Sequence, residues 1–100
     1  MSELTQEQIK AQALSKIKLS MRIITDLFDG ELGDLIDAAL LDIGIAGVSN
    51  TVLTDALVLR AVTTYCRLNF GQPDDYERLK ASYDEQKAQL RSATNYTTWG

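Results

Sequence analysis

The hydrophobic residues of this chain recur at helical spacing in four segments, and the third, residues 54–70, has the widest apolar arc. Its core positions are Leu57, Val58, Ala61, Val62, Tyr65 and Cys66. An arc wider than the roughly 100° stripe of a surface helix indicates neighbours on two or more sides. Thr54 is suited to cap this helix, and Gly71 followed by Pro73 is suited to end it. Residues 54–70 are therefore predicted to form a buried central helix, whose narrow polar stripe holds Arg60, Thr64 and Arg67.

Two amphipathic segments precede the central one. Residues 5–19 begin with a capping box, in which the side chains of Thr5 and Gln8 bond each other's backbone amides. Residues 30–44 carry a continuous apolar series with outward acids at Glu31, Asp34 and Asp37. The apolar positions of this series are Leu32, Leu35, Ile36, Ala39, Leu40 and Ile43. Both segments are predicted to be helices that place one face on the core.

The fourth segment, residues 73–92, has a narrow apolar seam and many charges. Pro73 is predicted to lie in the first turn. The seam consists of Tyr76, Leu79, Tyr83, Gln86 and Leu90, and ion pairs are expected between Asp74 and Arg78 and between Asp84 and Lys87. Such a helix touches the body along one edge, so its polar flanks are candidate subunit contacts. These candidates are Arg78, Lys80, Glu85 and Lys87.

The remaining segments are less regular. Residues 21–28 are apolar and partly β-branched, which predicts a partly buried connection; a single strand is an alternative, although no partner strand is evident. Residues 93–100 lack a helical period and form an extended tail with two aromatic residues. The prediction is an all-α fold: residues 1–100 as one domain, a small bundle of four helices around residues 54–70.

Composition narrows the function classes. The chain has 100 residues, 45% hydrophobic content and a net charge of −4, which predicts a soluble globular protein rather than a nucleic-acid binder. A local basic patch remains compatible with that net charge. The sequence contains no run of 18 apolar residues, so no membrane span is predicted. The N-terminal residues lack the layout of a signal peptide. A single cysteine fits a reducing cytoplasm.

Catalytic and metal-binding constellations are not evident in the sequence. The chain has no histidine, and Cys66 lies on an apolar arc, as expected for a packed core thiol. One cluster is acidic, but its spacing does not match an EF-hand loop and suits helix N-termini and a solvated face better. Its members are Asp26, Asp29, Glu31, Asp34 and Asp37. The sequence therefore predicts no enzyme, no cofactor and no metal.

Several short motifs occur together in a characteristic order. They are Phe28–Leu32, Leu35–Ala39, Asp42–Val48, Arg60–Val62 with Tyr65, Asn69–Gly71, Tyr76, Leu79, Ser82–Lys87, Leu90 and Tyr96–Trp99. In this order and spacing, residues 10–99 resemble the small head–tail connector proteins of long-tailed bacteriophages, also called adaptor, head-completion or DNA-packaging proteins. Gly30 stands where that pattern would favour another acid.

The resemblance implies a structural subunit of the virion neck, assembled in the bacterial cytoplasm. Such subunits form a homo-oligomeric ring beneath the portal protein, extend the DNA channel and offer a platform for the next neck or tail-completion protein. Viral DNA would pass through without sequence-specific binding, and an acidic wall suits that passage because it repels phosphates. On this interpretation the aromatic tail is a candidate portal anchor, with Tyr96, Thr97 and Trp99 as its contact residues.

Two other interpretations compete with the connector. A small helical regulatory module that sequesters a partner protein fits the same composition. A helix-turn-helix regulator fits less well, because no segment has the outward basic and amide side chains of a recognition helix. Oligomeric state separates the first from a connector, since a connector should form large rings.

Overall fold

The computed structural model describes residues 4–48 and 51–92, and these form four α-helices without any strand. The helices are α1 (Gln6–Met21), α2 (Asp29–Ile45), α3 (Ala56–Asn69) and α4 (Tyr76–Ser92). The predicted all-α fold is confirmed, and the alternative of a strand in residues 21–28 is wrong. Helix α2 extends one residue further at each end than predicted.

Helix α3 lies at the centre of the bundle. It packs against α1, α2 and α4, most extensively against α4. The side chains of Val58, Ala61, Val62 and Cys66 are completely buried, and Tyr65 packs against them while partly exposed. The prediction made from the wide apolar arc, that residues 54–70 contact several neighbouring helices, is therefore confirmed.

Leu57 departs from the predicted core. Its side chain is 48% exposed, although its angular position falls within the apolar arc. Leu57 belongs to the first turn of α3, at the end of the helix. Angular spacing describes a position around the helix axis and carries no information about how far along the axis the neighbouring helices reach, which is why the prediction for Leu57 is wrong.

The cap of α3 also differs from the prediction. Asp55, not Thr54, is the N-cap residue. The Asp55 carboxylate accepts hydrogen bonds from the backbone amides of Leu57 at 2.9 Å and Val58 at 3.2 Å. A carboxylate at this end also interacts favourably with the helix dipole, so it is the stronger of two adjacent candidates.

Helix α4 begins three residues later than predicted. Pro73 lies in the connection between α3 and α4, and the first helical hydrogen bond runs from the Leu79 amide to the Asp75 carbonyl at 2.9 Å. Leu79, Tyr83 and Leu90 are buried as the seam predicted, whereas Tyr76 is 48% exposed. The seam thus starts one turn into the helix.

The N-terminal capping box of α1 is present. The Thr5 amide donates to Gln8 Oε1 at 2.8 Å, and the Gln8 amide donates to Thr5 Oγ1 at 3.1 Å. Helix α1 continues two residues beyond the predicted end and closes at Arg22, whose φ of 60° is left-handed. No glycine marks this end in the sequence, which is why spacing alone stopped the helix early.

The connection between α1 and α2 is more exposed than predicted. Ile24 is 99% exposed and Leu27 is 85% exposed. Lys18 holds the connection in place, because its Nζ lies 2.8 Å from an Asp29 carboxylate oxygen and 2.9 Å from one of Asp26. These hydrogen bonds, the one to Asp29 first, raise the pKa of Lys18. The segment is positioned by charge rather than by burial.

Candidate assembly surface

The polar flanks of α4 were predicted to contact other subunits, and three of the four residues face solvent. Arg78, Lys80 and Glu85 are exposed. The two ion pairs predicted for this helix are wrong, because Arg78 and Lys87 each pair with an acid other than the predicted one. Arg78 pairs with Asp75, and Lys80 Nζ lies 3.1 Å from a carboxylate oxygen of Asp84. The two observed pairs join residues three and four positions apart, and Glu85 forms no ion pair among the described residues.

Lys87, the fourth predicted contact, is engaged within the subunit. Its Nζ lies 3.1 Å from Asp42 Oδ2 on α2 and 4.9 Å from the centroid of the Tyr83 ring. The Tyr83 hydroxyl donates to the same Asp42 oxygen at 2.5 Å. The hydrogen bond from Tyr83 lowers the pKa of Asp42, and burial raises the pKa of Tyr83. Asp42 therefore joins α2 to α4, because its carboxylate accepts hydrogen bonds from Tyr83 and Lys87 of α4.

The sequence analysis did not assign a role to Asp42. A signal was present, because position 42 lies beside Leu35 and Ala39 around the axis of α2 rather than with Asp34 and Asp37 on the outer side. A carboxylate at the edge of a buried face requires hydrogen-bond donors. Finding those donors on α4, 41 and 45 residues further along the chain, requires the tertiary structure.

A groove of about 430 Å³ lies between α3 and α4. Arginines line it from both helices: Arg60 and Arg67 on α3, and Arg78 on α4. Arg60 and Arg67 are exposed and form no ion pair with any residue in the described ranges. The polar stripe of the central helix is therefore one wall of a local basic surface on an acidic protein.

Burial determines the chemistry of the one cysteine. Cys66 is completely buried in the core, and burial raises the pKa of its thiol to about 12. A thiol with this pKa stays protonated at neutral pH and is a poor nucleophile. Across residues 4–48 and 51–92, the acids and Cys66 form no group of three or more that could hold a metal ion.

Two further predictions concern the C-terminal tail and the lack of a membrane span. The residues predicted to dock on the portal, Tyr96, Thr97 and Trp99, lie with the rest of the tail 93–100 outside the described residues. Of the helices in the described part of the chain, none combines the length and apolar character needed to cross a membrane.

Comparison with known proteins gives one family. Residues 13–97 match the model of a family described as phage connector protein, so the match covers all four helices except the beginning of α1. No curated protein matches the chain, and neither does any solved structure.

Proposed function

The chain belongs to the phage connector protein family, and on that premise we propose that it is a head–tail connector subunit that forms a ring beneath the portal. The ring extends the DNA channel and provides the docking platform for the next neck or tail-completion protein. The family match over residues 13–97 carries this proposal. The protein resides in the virion neck after assembly in the host cytoplasm, and its role is structural, without a cofactor.

The charge of the subunit supports passage of DNA. The net charge of −4 gives a ring of such subunits a strongly negative total charge. A wall of that sign repels phosphates, whereas a basic wall would bind them and slow the DNA. DNA then passes without sequence-specific contacts.

The polar flanks of α4 form part of the subunit interface in this proposal. Arg78, Lys80 and Glu85 face solvent, and the Lys87 side chain is 24% exposed at the inner edge of the same surface. Like charges introduced here would meet across each repeated interface of a ring and so weaken it at every copy.

The tail anchors the subunit to the portal in this proposal. Tyr96 and Trp99 are large aromatics in a polar, threonine-rich segment, a composition suited to a peptide that adds as a strand and fills pockets with its aromatic rings. Repetition around a ring strengthens such an anchor even when each copy binds weakly. Removal of residues 94–100 should leave thermal melting nearly unchanged and abolish co-sedimentation with portal rings. Full attachment after truncation would refute the anchor.

Electron microscopy of the purified protein, alone and with portal rings, tests the connector itself. A connector gives rings in at least one of these two preparations. A protein that stays monomeric or dimeric in both is instead a small regulatory module that binds a partner protein, and the proposed function is then wrong.

A further inference from the structure

The outer side of α2 exposes both acidic and apolar side chains. Glu31 and Asp34 lie toward its N-terminal end, are exposed, and form no ion pair with other described residues. Two and three turns beyond Asp34, Leu41 is 67% exposed and Ile45 is 78% exposed. These four residues, here called the α2 outer face, combine charge and apolar area in the way that contact surfaces do.

The groove between α3 and α4 has the complementary character. Arg60, Arg67 and Arg78 supply positive charge, while Ala56 and Leu59 supply apolar lining. The Gln86 side chain also lines the groove, and its Oε1 is buried without a hydrogen-bond partner among the described residues. That oxygen can only accept a hydrogen bond, so it offers a position for a donor and not for a carboxylate.

We propose that the α2 outer face of one copy occupies the α3–α4 groove of the next copy. Arg60 and Arg67 then receive the carboxylates of Glu31 and Asp34, an arrangement that suits guanidinium groups because they bind carboxylates through two parallel hydrogen bonds. Leu41 and Ile45 become covered in the same contact. This interface deepens the proposed function and rests on it, since it names how neighbouring connector subunits meet.

The two surfaces consist of different residues, so the contact is head-to-tail. A head-to-tail contact leaves a free groove at one end of every assembly and a free outer face at the other, and it continues until the rotation closes a ring. A self-complementary contact would instead stop at a dimer. The same interface therefore accounts for an oligomer larger than two without a second contact type.

Charge exchange tests the pairing. The groove variant carries Arg60→Glu and Arg67→Glu, and the face variant carries Glu31→Arg and Asp34→Arg. Each variant alone should associate about tenfold or more weakly than the wild type, because like charges face each other at every contact. An equimolar mixture of the two should associate again, since each groove then meets a face of opposite charge. Sedimentation velocity measures both results, and circular dichroism confirms that each variant is folded.

A matched control changes the same charges elsewhere. Lys16→Glu with Arg91→Glu reverses two exposed cations that line neither surface, and it should leave association unchanged. If this control weakens association as much as the groove variant, or if mixing the two interface variants restores nothing, the effect is one of net charge and the pairing is wrong.

Cross-linking tests the direction of the contact. A variant with Arg60→Cys and Asp34→Cys, treated with a short bismaleimide, should give a ladder of dimers, trimers and larger species, while either single cysteine variant should not. Buried Cys66 does not react under these conditions, because its thiol is protonated and covered. A product that stops at a dimer overturns the head-to-tail contact.

The outcomes separate this interface from the connector role. If the wild type forms rings and both charge variants form them equally well, the interface lies elsewhere and the connector stands. If the wild type forms no ring alone or with portal rings, the proposed function fails and this interface fails with it.

Discussion

Helices α2 and α4 are each 17 residues long and both pack on α3, but their solvent-facing sides differ in kind. Helix α4 buries Leu79, Tyr83 and Leu90, and apart from Tyr76 and two alanines its other residues are polar. Helix α2 buries a full apolar face and still exposes Leu41 and Ile45. A helix with more apolar surface than its own subunit covers indicates a second partner, whereas α4 is already suited to water.

The two helices also use their charges differently. On α4, Arg78 pairs with Asp75, Lys80 with Asp84 and Lys87 with Asp42. The other charged residues of α4, which are Glu77, Glu85 and Arg91, form no ion pair among the described residues. Glu31 and Asp34 on α2 have no such partner among the described residues. All charged residues of α2 are acidic, so Glu31 and Asp34 can find cations only on another element or another copy, whereas the unpaired charges of α4 are of both signs. Five measurements would break or sharpen this comparison.

The largest effect is expected from disrupting α3, the helix on which both α2 and α4 pack. Val62→Asp places an unpaired charge in the completely buried centre of α3, which costs several kcal/mol. A domain of this size has only about 5–15 kcal/mol of stability in total. The variant should therefore lose most of its helical circular dichroism. Leu57→Asp is the matched control, because Leu57 is on the same helix but 48% exposed, and it should remain folded. Equal loss in both variants would contradict the observed burial.

The next effect concerns the junction where α2 and α4 meet. Tyr83→Phe removes the hydroxyl that donates to Asp42 and should lower the free energy of unfolding by about 1–2 kcal/mol at neutral pH. A hydrogen bond to a charged group contributes about 1.5–3 kcal/mol, and partial exposure of Asp42 reduces that value. Urea denaturation measures the loss. Tyr76→Phe, at an exposed tyrosine of the same helix, should change nothing.

The same variant has a defined pH dependence. The hydrogen bond from Tyr83 lowers the pKa of Asp42 in the folded protein below its unfolded value of about 3.9. The stability from Asp42 is therefore fully present above that value and is lost as the pH falls through the folded pKa. The difference between wild type and Tyr83→Phe should narrow below about pH 4. A difference that stays constant down to about pH 2.5 would assign the loss to packing alone.

A smaller effect is expected from the surface pair on α4. Lys80→Ala breaks the contact with Asp84 and should cost only about 0.3–0.5 kcal/mol, an amount that decreases as salt is added. Lys16→Ala, at an exposed lysine without an ion pair among the described residues, provides the baseline. A cost above about 2 kcal/mol, well beyond the usual range for exposed pairs, would show that α4 depends on its charges for folding.

The smallest effect on stability is expected on the α2 outer face. Leu41→Gln with Ile45→Gln replaces two exposed apolar side chains and should change the unfolding free energy by no more than about 0.5 kcal/mol. Association measured by sedimentation should nevertheless weaken, because the contact loses its apolar part. Unchanged association would remove α2 from the interface, and a large loss of stability would show that this face is part of the folded core.

Local signals in the sequence were sufficient for most of the helical structure. The capping box at Thr5 and Gln8 is specific because both partners lie three residues apart, and the structure contains it. The apolar arc of residues 54–70 likewise identified α3 as central. Where two adjacent residues could both cap a helix, as at Thr54 and Asp55, spacing had no means of choosing between them.

The candidate site was less predictable. Arg60 and Arg67 were recognisable as a polar stripe, but a stripe becomes the wall of a groove only when a second helix lies beside it at the right distance. Arg78 supplies charge from that second helix. The outward role of Lys87 was inferred from α4 alone, and its contact with Asp42 depends on how α2 and α4 both pack on α3.

The sequence by itself determined the all-α fold, the order of the helices and the central place of α3, because periodicity and caps act over one or two turns and need no distant partner. The tertiary structure alone decided the partners of Asp42, the exposure of Leu57 and the groove between α3 and α4. These features depend on the relative positions of helices far apart in the chain, and many sequences with the same periodicity would place those helices differently.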